Sequence, residues 1–199
     1  MSAAAQPALA PGRVYRTREF AQWSANPPRL AQRLVREGQL VQLAQGLFAV
    51  PQRSRFGLVP PSDEALMRAF LDGAPFVFTG PERWNALGLG TTAVFAHPLV
   101  YNTKRSGQFV FGRREFSLRR VTFPESPPTE WFVIDLFENA GQAASSADEL
   151  ASSLTKALSR GNFDRANLLE MAHRYGSRRV QGLVHRALED SAAVGIADE

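Results

Sequence analysis

The sequence predicts an α+β fold: a small helix-and-hairpin domain at the front, then a larger α/β domain that ends in a helical bundle. Three observations carry this. Apolar residues recur at helical spacing just after the start and again from Ala147 onward. From Val94 to Thr122 they fall instead into short β-like runs broken by glycine and basic turns. A proline-flanked stretch from Pro51 to Pro61 separates the front from the rest.

The front segment runs from Val14 to Val50, after a loose Ala/Pro-rich tail over residues 1–11. A short strand leads into a helix starting at Thr17, whose hydroxyl can accept from amides of the opening turn, and which buries Phe20, Ala21 and Trp23. Ser24-Ala25-Asn26 makes a turn, and Asn26 followed by Pro27-Pro28 starts a second helix. Gly38 ends it, because a left-handed residue costs least there. Leu40–Leu43 and Leu47–Val50, joined by Ala44-Gln45-Gly46, read as a β-hairpin. Helix, turn, helix and two-stranded ribbon is the order of a winged helix-turn-helix, placed at residues 1–52.

The second helix has two unlike faces. At about 100° per residue, Leu30, Ala31, Leu34 and Val35 share one side, and Arg29, Gln32, Arg33 and Arg36 the other. Three guanidinium groups and a carboxamide on one face suit the major groove of double-stranded DNA. Arginine pairs with guanine, glutamine with adenine, and either holds phosphate. Gln45 in the wing and Arg16 or Arg18 near the first helix would assist. Two or three exposed arginines also occur on ordinary solvated helices; the element order and the nearly acid-free face favour DNA.

Residues 53–61 form a basic linker, and 62–199 the second domain, mixed α/β to about residue 124 and helical from about 129. Ser62 caps a helix carrying Ala65, Leu66, Ala69, Phe70 and Leu71. Phe76-Val77-Phe78 is β-like, and Thr79-Gly80-Pro81-Glu82 opens a helix, with a capping-box-like start, that ends at Gly88. Gly88-Leu89-Gly90-Thr91-Thr92 follows a helix and lacks the lysine of a phosphate loop, so it reads as helix termination. Strand segments are expected at Val94–Ala96, Pro98–Tyr101, Phe109–Phe111, Phe116–Leu118 and Val121–Phe123. Lys104, Arg105, Arg113, Arg114, Arg119 and Arg120 fall among them, as solubilising turn charges or as a second basic surface for nucleic acid or protein. Trp131–Asn139 is apolar enough for helix or strand, and its helical spacing favours a helix; Ala147–Ser159, Asp164–Tyr175 and Ser177–Asp190 read as three more helices.

The 199 residues carry a net charge of +4, distributed unevenly: +4 up to Gln52, +5 from Arg53 to Pro124 and −5 beyond. A basic front and an acidic rear suit a front that faces a polyanion. Cysteine is absent, which excludes disulfides and thiolate metal sites and fits a cytoplasmic protein. No apolar run is long enough to span a bilayer, and the first residues do not read as a secretory signal.

Nothing reads as a catalytic constellation, a metal site or a cofactor site. His97, His173 and His185 lack ligand spacing. Ser153-Leu154-Thr155-Lys156 has the form of a serine–lysine nucleophile pair without its companion motifs. Asp63-Glu64 and Asp148-Glu149 are explained as first-turn acids.

Taken in order, several motifs resemble the AbiEi-type antitoxins of bacterial abortive-infection, type IV toxin–antitoxin systems. They are Arg33-Leu34-Val35-Arg36-Glu37-Gly38-Gln39-Leu40, Gly46-Leu47-Phe48-Ala49-Val50-Pro51, Ser54-Arg55-Phe56-Gly57 with Pro60-Pro61-Ser62, and Thr79-Gly80 through Trp84-Asn85-Ala86-Leu87-Gly88-Leu89. Leu168-Leu169, Ala172 and Tyr175-Gly176 complete the series. The likeness runs from about Gly12 to the last helix. It implies a winged-helix repressor of its own operon that binds an inverted-repeat operator, with a C-terminal domain involved in antitoxicity and in dimeric or cooperative DNA binding. It also implies a nucleotidyltransferase toxin as partner, functionally if not by stable contact. The alternative is a stand-alone winged-helix regulator, or a protein-binding module with no toxin. Two departures stand out: the helix expected before the first strand is poor here, and a tyrosine that often ends the wing is replaced by Phe48.

Overall fold

Helices and strands mix along the chain in the computed structural model, which describes residues 7–55 and 57–197. In order they are β1 (Val14–Arg16), a 3₁₀ helix (Thr17–Gln22), α1 (Pro27–Arg36), β2 (Val41–Ala44), β3 (Leu47–Ala49), β4 (Gln52–Ser54), β5 (Gly57–Val59) and α2 (Asp63–Phe70). There follow β6 (Phe76–Thr79), α3 (Pro81–Ala86), β7 (Leu99–Asn102), β8 (Gly107–Phe111), β9 (Arg114–Arg120), α4 (Thr129–Glu138), α5 (Ala147–Ser159), α6 (Arg165–Tyr175) and α7 (Arg178–Ala197). The α+β class is therefore observed. No helix among the described residues is long and apolar enough to cross a membrane.

The chain divides into two units, Met1–Phe76 with Asn102–Leu118, and Val77–Tyr101 with Arg119–Glu199. In the first, β3 is the centre of a three-stranded antiparallel sheet, flanked by β1 and β2. Tyr15 lies opposite Phe48 and Arg16 opposite Leu47, while a shift in register between Gln42 and Ala44 bends β2. Tyr15, Phe20, Leu30, Ala31, Leu34, Leu40 and Phe48 form the core beneath it. The 3₁₀ helix starts one residue earlier than a Thr17 cap requires: Glu19 Oε2 accepts the backbone N–H of Arg16 at 2.7 Å. Phe20 is buried and Trp23 half-buried, but Ala21 is exposed, because this short 3₁₀ helix presents only one side to the core.

Asn26 caps α1, its Oδ1 accepting the Arg29 N–H at 3.1 Å, and Pro27-Pro28 occupy the first two positions, where no amide partner is needed. Gly38, at φ 71°, ends the helix. Of the expected loose tail, residues 1–6 lie outside the described residues, but residues 7–11 pack locally: Leu9 lies on the core, and the Ala10 N–H donates to Tyr15 Oη at 3.2 Å. Most of the expected linker at 53–61 is a β-hairpin, with Arg53 opposite Leu58; Phe56 is outside the described residues. Ser62 Oγ caps α2 through the Ala65 N–H at 3.1 Å. The β8–β9 hairpin sets Phe109 opposite Phe116, and the Phe70 ring packs against Phe109 and Phe111 at 5.0 and 4.6 Å.

In the second unit β6 lies beside β7, and α4 runs through an apolar core that includes Trp84, Leu99, Trp131, Ile134 and Leu154. Helices α5 and α7 pack together, as do α4 and α6. Four local expectations are corrected. Val94–Ala96 and Val121–Phe123 are not strands; Val94 is 87% exposed and has no sheet neighbour to cover it. Thr79 does not cap α3, because its hydroxyl donates instead to Asp135, leaving Gly80 as the cap residue. The last helix continues to Ala197, past the expected stop at Asp190.

Candidate nucleic-acid interface

Helix α1 owes its position to one face. Leu30, Ala31 and Leu34 are buried at 6%, 0% and 1% exposure, which fixes the rotation of the helix against the sheet. The same rotation puts Arg29, Gln32, Arg33 and Arg36 all into solvent. Among the described residues Arg29 and Arg36 have no carboxylate partner, and Arg33 has a loose one, Nε lying 3.7 Å from Glu37. Three exposed guanidinium groups with one loose carboxylate among them give this face a positive potential, which suits a polyanion.

The face is divided by what flanks it. Toward the β2–β3 hairpin, an open groove of about 770 Å³ is lined by Thr17, Gln32, Arg36, Gln42, Gln45 and Phe48. Toward the turn before the helix, a smaller hollow of about 350 Å³ holds Arg29, Arg33 and Arg36 with Trp23 and Asn26. Arg36 borders both. The groove is therefore rich in carboxamides, which donate and accept in pairs, whereas the charge of the hollow is purely cationic. The groove wall is held by a backbone bond from the Thr17 N–H to the Gly46 carbonyl at 3.0 Å.

Arg16 and Arg18 do not join either lining. Both reach the carboxylate of Asp72: Arg16 Nη1 at 3.4 Å from Oδ2, and Arg18 in direct contact with Oδ1. Lys104 Nζ is the third cation there, 3.9 Å from Oδ2. The second basic set is likewise dispersed over different partners. Arg105 stacks over Phe70 at 4.5 Å, and Arg114 pairs with Asp63 and donates to the Pro61 carbonyl at 2.9 Å. Arg113 is exposed in the β8–β9 turn and Arg120 at the end of β9. Arg119, in the second unit, donates to Asn139 and Gln142 at 2.9 and 2.8 Å.

Two acidic residues that the sequence pattern does not single out prove central to each unit. Asp72 is one. The other is Asp135, 5% exposed, which accepts from Thr79, from Trp84 Nε1 at 2.8 Å and from Asn139 Nδ2 at 3.0 Å. Burial raises its pKa despite those donors and the nearby Arg119 charge, and burial with the Asp135 charge also pushes the Tyr101 hydroxyl up. No group of metal-ligating side chains exists among the described residues. The polar cluster around Asp135 is buried with Thr79, Trp84, Tyr101 and Asn139 in the core of the second unit.

No family model matches the chain, and no curated protein matches it. Among solved structures, the chain is similar to the crystal structure of the RV2827C protein from Mycobacterium tuberculosis, with a TM-score of 0.55 and 14% identity over 93% of this chain and 75% of that one. At that identity the likeness is one of fold.

Proposed function

We propose that this chain is a double-stranded-DNA-binding transcriptional regulator whose first unit works as a winged helix-turn-helix. In this reading α1 enters the major groove and the β2–β3 hairpin is the wing. The observation that carries it is the exposure of Arg29, Gln32, Arg33 and Arg36 along one side of α1, next to a groove shared with Gln42 and Gln45. Arg29 and Arg33, in the cationic hollow, suit phosphates; Gln32 and Arg36, facing the groove, suit base edges.

The test is binding of the full chain to the DNA upstream of its own gene, followed across salt concentration. Arg33→Ala with Arg36→Ala should weaken binding and flatten the salt dependence by about 0.9 in slope for each phosphate no longer held. Binding unchanged by the pair would overturn the reading.

The resemblance to AbiEi-type antitoxins extends the proposal to an antitoxin that represses its own operon, as a homodimer on inverted repeats, and counteracts a nucleotidyltransferase toxin. Co-expression with a nucleotidyltransferase encoded beside it tests this. Restored growth supports the antitoxin role, and continued arrest overturns it while leaving the DNA-binding role intact.

A further inference from the structure

Asp72 sits where a side chain is disfavoured by the backbone and a negative charge by the helix end. It follows α2 in a left-handed conformation, φ 59°, with its N–H on the Ala69 carbonyl and the Gly73 N–H on the Arg68 carbonyl. That double bond pattern normally places glycine at the left-handed position, and the end of a helix repels an anion. Asp72 is nonetheless the meeting point of cations from three segments: Arg16 at the end of β1, Arg18 on the 3₁₀ helix and Lys104 after β7. Lys104 is held there by a fixed turn, since the buried Asn102 Oδ1 accepts the N–H groups of Lys104 and Arg105 at 2.9 and 2.8 Å.

We infer that Arg16, Arg18 and Lys104 form a phosphate site for the nucleic-acid backbone, and that the Asp72 carboxylate fills it in the free protein. Two oxygens of one carboxylate, shared among three donors, stand where a phosphodiester's two free oxygens would be. The side chains of Arg18 and Lys104 are 65% and 42% exposed, so an incoming phosphate can reach them. Arg16, Arg18 and Asp72 line a hollow of about 490 Å³ with Arg13 and Arg68, separate from the groove that Thr17 lines beside Gln32 and Gln45, so this is a second contact for the nucleic-acid backbone. The inference rests on the DNA-binding reading and deepens it: the protein carries a built-in competitor that limits non-specific attraction to DNA.

The experiment compares full-length wild type, Asp72→Asn and Asp72→Gly for binding to a mixed-sequence duplex over a range of salt concentrations. Glycine suits the left-handed backbone and keeps the test intact should asparagine impair folding. Each variant should bind more tightly than wild type, with a slope steeper by about 0.9 per phosphate newly held. Adding Arg18→Ala to either should reverse most of the gain. Inorganic phosphate, at matched ionic strength, should raise the melting temperature of the variants more than that of wild type. Equal affinity and slope in all three, with Arg36→Ala still weakening binding, would overturn the inference and leave the DNA-binding reading standing. Absence of duplex binding by all three would overturn both.

Discussion

The indole Nε1 of Trp84 donates to Asp135 Oδ2 at 2.8 Å inside the second unit, joining α3 to α4 across the core. Both residues are buried, and the same carboxylate also receives Thr79 from the end of β6 and Asn139 from one turn further along the chain. One side chain thus satisfies donors from three places, and no buried side-chain polar atom among the described residues lacks a partner. Replacing Asp135 by alanine orphans these donors together and should cost on the order of 3 kcal/mol. Asparagine, which must turn an NH₂ toward a donor, should cost about 1–3 kcal/mol. Urea denaturation followed by tryptophan fluorescence measures both.

Asp135 also gives stability a pH dependence of defined sign. Burial raises its folded pKa above the ordinary value, so the folded chain holds this proton more tightly than the unfolded one. Its contribution is then fully present below the ordinary aspartate value of about 3.9 and is lost as pH rises through the raised folded pKa. Asparagine does not titrate. The stability advantage of wild type over Asp135→Asn should therefore shrink from acid toward neutral pH; an advantage that grows with pH would show that the donors, not burial, govern the carboxyl.

Binding and folding should separate along α1. Among the described residues Arg29 and Arg36 touch no carboxylate, and both lie in solvent, so alanine at either should change stability by no more than about 0.5 kcal/mol while weakening DNA binding. Leu34 is 1% exposed at the centre of the first core, and Leu34→Ala should cost about 2–5 kcal/mol through the cavity it leaves. Thermal melts alongside anisotropy titrations distinguish the two classes. A large loss of stability in Arg36→Ala would mean that the exposed face supports the fold.

Much of this is legible from local chemistry, and the failures share one cause. Asn26-Pro27-Pro28 and Gly38 bound α1 because capping and left-handed termination are decided within a few residues. The arginine face follows from helical period alone, since burial of Leu30 and Leu34 leaves no other rotation. Thr79 reads as a cap, yet its hydroxyl turns to Asp135, 56 positions away, which no local pattern contains. Val94–Ala96 has β propensity but no strand to pair with, and Pro51–Pro61 reads as a tether although Arg53 and Leu58 pair across a hairpin. Asp72 is invisible in the sequence for the same reason: its three cations come from residues 16, 18 and 104.

Gly46 gives the sharpest test of whether the hairpin must sit where it does. It turns between β2 and β3 at φ 72°, and a Cβ there would lie 3.3 Å from Thr17 Oγ1. Its carbonyl also accepts the Thr17 N–H at 3.0 Å, tying the hairpin to the start of the 3₁₀ helix. Gly46→Ala thus meets both a conformational penalty of roughly 1–2 kcal/mol and a crowded neighbour. Gly46→Asn meets the same neighbour with a smaller backbone penalty, because asparagine visits the left-handed region more readily. The expected order of stability is wild type, then asparagine, then alanine, by chemical denaturation. If the hairpin is a wing, DNA affinity should fall in the same order, because Gln45 shares the turn with Gly46 and moves with it. Affinity that stays constant while stability falls would show that the hairpin lies off the DNA, and α1 would have to bind alone.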